Sequence, residues 1–237
     1  MNRLINKEEN INYDKNSVEV FETMLKPENS LYIISGKIGT GKSVFLMAYL
    51  NYIKRFHKNK YKEKIIVSST IFNGFFSKNG IPNVEQHETI TIEQIEILKE
   101  MQKKQPENKR KPILLVLDDV FANNGINLRS KGVEQLISVL RHYKISVIFV
   151  LQQIHMVGPK IRCNAHGYIL FDTIGSDNIK SIYQCLSTGD NLKEFTSNFL
   201  LKLKDHGGLF VNNLKNSLDE GRMISFKINP VKFGVKV

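Results

Sequence analysis

The stretch Leu31-Tyr-Ile-Ile-Ser-Gly36-Lys-Ile-Gly-Thr-Gly-Lys42-Ser43 joins a β-branched apolar run to a glycine-rich segment, and a helical stretch from Ser43 to His57 follows directly. Its second half is a complete G-x-x-x-x-G-K-S pattern. Gly36, Gly39 and Gly41 let the backbone curl so that successive N–H groups face one anion, and the helix behind them adds the positive end of its dipole. Lys37, Ile38 and Thr40 complete the loop. Lys42 brings a point charge to the β- and γ-phosphates of a nucleotide, and Ser43 brings an oxygen to Mg²⁺. A glycine-rich turn can match by chance. Strand, motif and helix in that order are the context the motif requires, so ATP and Mg²⁺ are the expected cofactors.

Working outward, Lys64–Ser69, Ile113–Leu117 and Ser146–Leu151 are further short apolar runs that read as buried parallel strands, and Tyr168–Phe171 reads as a fifth. Helical stretches separate them. Val133, Leu136, Ile137 and Leu140 mark one apolar helix face, and Ile92–Gln105 forms another helix, closed by Pro106. Helices near Asp177–Cys185 and Asn191–Lys204 precede a Gly207-Gly208 break and two strand-like runs, Leu209–Asn212 and Met223–Ile228. The expected fold is α/β: a P-loop NTPase with a central, mostly parallel sheet flanked by helices, plus a C-terminal β-hairpin. A single domain is expected over 1–237, with an N-terminal extension (1–29), an ATPase core (30–172) and C-terminal helices with the hairpin (173–237).

Composition bounds the function classes. With 41% hydrophobic and 24% charged residues, the chain is core-forming, unlike disordered or collagen-like sequences. Runs such as Val147–Leu151 fall far short of the roughly 20 apolar residues of a membrane span. The polar N-terminus lacks the pattern of a secretory signal. Two cysteines, Cys163 and Cys185, make neither a disulfide framework nor a zinc pattern, so a reducing compartment is the default expectation. A net charge of +11 hints at a polyanionic partner, but a sequence crowded with Lys, Asn and Ile carries such charge through compositional bias. Only seven basic residues are Arg, which makes each Arg more informative.

A second element of the site lies in Pro112-Ile-Leu-Leu-Val-Leu-Asp118-Asp119, an apolar strand ending in two carboxylates. Asp118 is placed to hold Mg²⁺, directly or through water, and Asp119 to polarise an attacking water. The plainer alternative is a polar strand end that caps the next turn, although two buried carboxylates without a cation are costly. The strand Lys64–Ser69 falls between the two motifs in sequence, which is the pattern of the additional-strand ATPases. Gln152, ending the strand Ser146–Leu151, is placed to sense the γ-phosphate. His142, His155, His166 and Cys163 show no zinc-ligand spacing. The Lys109-Arg-Lys111 run reads as a solvated loop or, more sharply, as a DNA contact, and Asn73–Gly80 is another candidate DNA loop.

Together, the strand ending in Asp118-Asp119, Leu140-Arg-His142, the Val-Ile-Phe-Val-Leu-Gln152 strand and Arg162-Cys-Asn164 before Tyr-Ile-Leu-Phe171 resemble the viral DNA-packaging ATPases. These form the poxvirus-type branch of the FtsK–HerA superfamily, with a RecA-like additional-strand core. The resemblance spans Leu31 to Ile228. It implies Lys42 and Ser43 at phosphate and metal, Asp118 at magnesium, Asp119 as the catalytic carboxylate and Gln152 as the sensor. It also implies Arg141 as a finger presented to a neighbouring subunit's nucleotide, with Arg162 in reserve. Arg141 is expected near the carboxyl edge of the sheet. Many relatives carry Glu where Asp119 stands, and the Gln-Arg-Pro of bacterial FtsK is here Gln152-Gln153-Ile154. The implied function is an ATP-driven motor that moves double-stranded DNA into a preformed capsid. The implied partners are duplex DNA, a capsid or portal-vertex protein and further copies in a pentameric or hexameric ring. The implied location is the host cytoplasm or viral factory, at the packaging vertex. The alternatives are an ATP-dependent switch for replication-complex assembly and a small-molecule kinase.

Overall fold

A computed structural model describes residues 14–69, 74–80, 84–120, 127–171, 175–186, 191–204, 207–215 and 222–236. In chain order the elements are α1 (Lys15–Leu25), β1 (Leu31–Ser35), α2 (Lys42–Phe56), β2 (Glu63–Ser68), α3 (Phe75–Lys78), β3 (Val84–His87), α4 (Ile92–Lys103) and β4 (Ile113–Asp118). They continue with α5 (Lys131–Leu140), β5 (Ile145–Leu151), α6 (Pro159–Cys163), β6 (Gly167–Phe171), α7 (Ser176–Tyr183), α8 (Leu192–Lys204), β7 (Gly208–Asn212) and β8 (Met223–Phe226).

Every residue of β1, β4, β5 and β6 is buried. That is why these runs are continuously apolar rather than alternating: helices cover both faces of the sheet. One face packs a core that includes Leu115, Ile137, Phe149 and Phe199, from β4, α5, β5 and α8. The other packs Phe21 of α1 and Phe45 and Tyr49 of α2 against Tyr32, Ile34 and Val150. Each fully buried aromatic or aliphatic side chain of this kind stabilises the fold by about 1.5–3 kcal/mol. Local signals set the helix ends. Thr91 and Gln94 form a reciprocal capping box at the start of α4, Ser130 caps α5, and Lys54 and Arg55 sit in the last turn of α2, where the helix dipole favours cations.

The strand order is β3-β2-β4-β5-β1-β6-β7-β8, parallel from β3 through β6 and antiparallel in the last two pairings. The C-terminal strands therefore pair as a hairpin, as expected, and the hairpin extends the main sheet rather than standing apart. β2 intervenes between the two motifs in sequence, but in space it lies beyond β4. The strand that separates β1 from β4 is β5. The N-terminal stretch contains α1, which is capped by Asp14 and buries Val20, Phe21, Met24 and Leu25 in the core. The two cysteines are joined as a disulfide between α6 and the residues after α7, with Cα atoms 4.5 Å apart, contrary to the expectation of unpaired thiols. Their sequence spacing gives no hint of this, because only tertiary packing brings α6 and α7 together. No helix among the described residues is long and apolar enough to cross a membrane.

Candidate active site

Register aligns the functional residues along one edge. Ser35 pairs with Leu151, Asp118 with Val150 and Ser68 with Asp118. The residues one step beyond these positions, Gly36, Asp119 and Gln152, therefore gather at the carboxyl ends of β1, β4 and β5. This is where ligands bind in open α/β sheets.

The loop from Gly36 to Ser43 leaves β1 with the Gly36 N–H bonded to the Leu151 carbonyl at 3.2 Å. A Cβ on Gly36 would lie 2.7 Å from Thr40 Oγ1 and 2.8 Å from Phe171 Cβ, so no side chain fits there. Gly41 takes φ +102° at the N-cap of α2, a conformation that side chains rarely adopt. Thr40 Oγ1 donates to the Lys37 carbonyl at 2.7 Å, which closes the turn, and Ile38 is exposed. Lys42 is buried, and its Nζ donates to the carbonyls of Gly36 (2.7 Å) and Lys37 (2.9 Å), which holds the ammonium over the loop. Burial lowers its pKa, and the charges of Asp119 and Asp118 oppose that shift.

Asp118 is 5% exposed, and Ser68 Oγ donates to its Oδ2 at 2.9 Å. Burial, reinforced by the charge of Asp119, pushes its carboxyl up to about 6 against the opposing effects of Ser68 and Lys42. Asp119 has φ +48°, a left-handed backbone in a non-glycine residue, which costs on the order of 1–3 kcal/mol. The bond from its N–H to the Val150 carbonyl (3.0 Å) fixes this turn. Burial raises the Asp119 pKa, countered by Lys42 and by a hydrogen bond from the Gln152 side chain. The expected sensor therefore lies beside the expected catalytic carboxylate, near enough to lower its pKa.

Two neighbouring carboxylates that both titrate high next to a hydroxyl and an ammonium form a hard oxygen site short of positive charge. Ser43, the second residue of α2, and the buried Asp118 are the oxygen donors that would hold Mg²⁺, a cation that takes few protein ligands and shares the rest with phosphate and water. Among the described residues no group of three or more His, Cys, Asp or Glu is arranged to hold a metal.

Arg141 lies elsewhere. Because α5 runs back against the parallel strands, its last residue returns to the amino edge. Arg141 there lines a small cleft with Ser30, Leu31 and His166. Burial and the Arg141 charge depress the His166 imidazole, whose Nδ1 accepts the Leu31 N–H. β5 separates Arg141 from Gln152, and seven residues at about 3.3 Å each make roughly 20 Å. The expectation that Arg141 sits near the carboxyl edge is thus corrected. Arg162 is partly buried, with Nη1 bonded to the Val157 carbonyl. The hydrogen bond from Ser68 to Asp118 is invisible in the sequence, because only strand register reveals it. Of the candidate DNA loop, Asn73 lies outside the described residues, and Phe75–Lys78 forms α3.

The carboxylate pair makes two outcomes measurable. Asp119→Asn keeps the side-chain shape and tolerates the left-handed backbone, so it should retain nucleotide binding while slowing turnover by about 10²-fold or more. Equal loss of binding and rate in single-turnover measurements would contradict the assignment. Asp118 ionises near 3.8 when unfolded and near 6 when folded, so its contribution to stability is lost as pH rises through that window. Above it the cost is roughly 3 kcal/mol at 1.36 kcal/mol per unit. Asp118→Asn should therefore raise the melting temperature at pH 7, measured in chelator without nucleotide, and raise it less at pH 4. A lower melting temperature at pH 7 would contradict this.

Residues 19–210 match the Poxvirus A32 protein family. No curated protein sequence matches the chain. Among solved structures, the genome packaging NTPase B204 of Sulfolobus turreted icosahedral virus 2, in complex with AMP, superposes with a TM-score of 0.60 at 15% identity, covering 85% of this chain and 99% of that one. B204, the DNA-packaging ATPase of Sulfolobus turreted icosahedral virus, gives 0.60 at 16% identity, covering 86% of this chain and all of that one. EssC (ATPases 2 and 3) from Geobacillus thermodenitrificans gives 0.56 at 15% identity, covering 87% of this chain and 40% of that one. At these identities the structural likeness speaks for the fold, while the family match extends from α1 to β7. With the phosphate loop, the paired carboxylates and the glutamine on one sheet edge, the chain belongs to the Poxvirus A32 protein family and is a P-loop ATPase.

Proposed function

We propose that this ATPase is a motor that drives double-stranded viral DNA into a preformed capsid, acting as a homo-oligomeric ring docked on a capsid or portal-vertex protein in the host cytoplasm or viral factory. The observation that carries the reading is Asp119: a second carboxylate beyond Asp118, beside the Gln152 side chain on the same sheet edge and turned by a left-handed backbone. That placement suits a carboxylate that takes the proton of an attacking water. The names of the structural neighbours, genome packaging NTPase and DNA-packaging ATPase, support the same direction. Ser43 and Asp118 would hold Mg²⁺, which would supply positive charge to the phosphates when bound. Lys42 and the loop N–H groups orient the triphosphate, and Asp119 accepts the water's proton.

Steady-state phosphate release with and without duplex DNA tests the reading. A motor accelerates on DNA of any sequence, and its DNA affinity falls steeply between about 50 and 200 mM salt, since it grips phosphates and not base edges. Slow turnover under all conditions would identify a switch, and dependence on an acceptor molecule a kinase.

A further inference from the structure

The loops that lead into four parallel strands, residues 26–30, 57–62, 104–112 and 141–144, contain ten Lys or Arg and only two acids, Glu28 and Glu107. Their net +8 accounts for most of the +11 of the whole chain. At the opposite edge, the described residues of the loops after β1, β4 and β5 carry Lys37, Arg129 and Asp119, a net of +1. Compositional bias toward Lys would spread charge evenly. It does not concentrate it on one edge.

The four loops form one continuous floor. The Lys62 N–H donates to the Pro112 carbonyl (2.8 Å), the Ile113 N–H to the Lys144 carbonyl (2.9 Å) and Arg110 Nη1 to the His142 carbonyl (3.1 Å). Lys60 Nζ ties in the first loop through the carbonyls of Leu25 (2.7 Å) and Pro27 (3.2 Å). Lys60 and Arg110 thus act as struts. Lys26, Lys58, Lys62, Lys104, Lys109 and Lys111 are exposed, and none is in an ion pair among the described residues. Holding so many like charges together costs self-repulsion, which a polyanion relieves. The strands beneath are neighbours in the order β2-β4-β5-β1, so the floor is about 14 Å wide at roughly 4.8 Å per strand. That width suits one backbone of a duplex, which carries a charge about every 1.7 Å of helix axis.

We propose that the amino edge of the sheet, centred on the loops before β2 and β4, grips the phosphate backbone of duplex DNA, roughly 20 Å from the phosphate loop at the other end of the strands. The proposal rests on the motor reading and adds the surface that reading lacks. Within one chain, nucleotide and DNA then occupy opposite ends of the same strands, so mutation of the loops before β2 and β4, which leaves Arg141 untouched, should separate them.

The test uses the full chain carrying Lys58→Gln, Lys62→Gln, Lys109→Gln and Lys111→Gln together, with binding to a labelled duplex of about 30 base pairs followed by fluorescence anisotropy from about 50 to 200 mM salt. Affinity is expected to fall at least about tenfold, and the slope of log affinity against log salt to shrink by up to about 0.9 for each phosphate that is no longer neutralised. Fluorescent-nucleotide affinity and melting temperature should stay at wild-type values. The same four positions changed to Arg should keep DNA binding, as should Lys193→Gln with Lys202→Gln on α8. Wild-type DNA affinity and salt slope in the Gln variant would overturn the proposal while leaving the motor reading intact. Loss of polyglutamate binding alone, with DNA binding kept, would assign the face to an acidic protein and equally overturn it. A wild-type chain that binds no duplex would remove both.

Discussion

Lys42→Ala is expected to abolish nucleotide binding and turnover while leaving the fold in place. The ammonium is buried over the loop and bonded to the carbonyls of Gly36 and Lys37, so its removal exposes two acceptors but empties no apolar core. Hydrogen bonds from a charged donor are worth about 1.5–3 kcal/mol each, and burial of the ammonium, which lowers its pKa, offsets part of this. A melting temperature within several degrees of wild type is the expected structural result. Its catalytic loss is larger because Lys42 is the cation expected at the β- and γ-phosphates. Fluorescent-nucleotide titration, phosphate release and a thermal melt on the same preparation check this. Normal ATPase activity would contradict the phosphate site.

For Arg141 the expected effect is about 10³-fold or more in turnover, the weight of a finger that stabilises transition-state charge. Its position narrows the role. At the amino edge, beside Ser30 and His166, Arg141 does not reach the nucleotide of its own chain, so its catalytic role is proposed to be entirely in trans. An alternative is an arginine at the end of α5 that interacts with the helix dipole, in which case Arg141→Ala costs little. Inactive Arg141→Ala chains mixed with inactive Asp119→Asn chains should regain partial activity, because some interfaces pair an intact Asp119 with an intact Arg141. No rescue in verified mixed rings, or full activity of the Arg141→Ala protein alone, would remove the finger.

Much of this architecture is legible in the sequence because strands buried on both faces leave continuous apolar runs: Leu31–Ser35 is β1 to the residue, and Ile113–Leu117 and Ser146–Leu151 match β4 and β5 to within one residue. Two elements are not legible in that way. β3, Val84 to His87, has no apolar run because an edge strand needs only backbone pairing on one side. α1 hides in a polar N-terminus, although Asp14 with Phe21, Met24 and Leu25 carries both a cap and an apolar face. Periodicity identifies elements but not neighbours, so the separation of β1 from β4 by β5, and with it the Ser68–Asp118 hydrogen bond, needs the sheet order. The edge on which Arg141 lies is deducible in principle. A helix that links two parallel strands must end where the next strand begins.

Directed movement along duplex DNA driven by ATP is the central claim, and displacement of a labelled third strand from a triplex measures it directly. The wild-type protein with ATP and Mg²⁺ is expected to strip the third strand from long duplex substrates, and Asp119→Asn is expected to bind the same DNA without stripping it. Duplex binding and DNA-stimulated phosphate release without any ATP-dependent displacement would contradict a translocating motor.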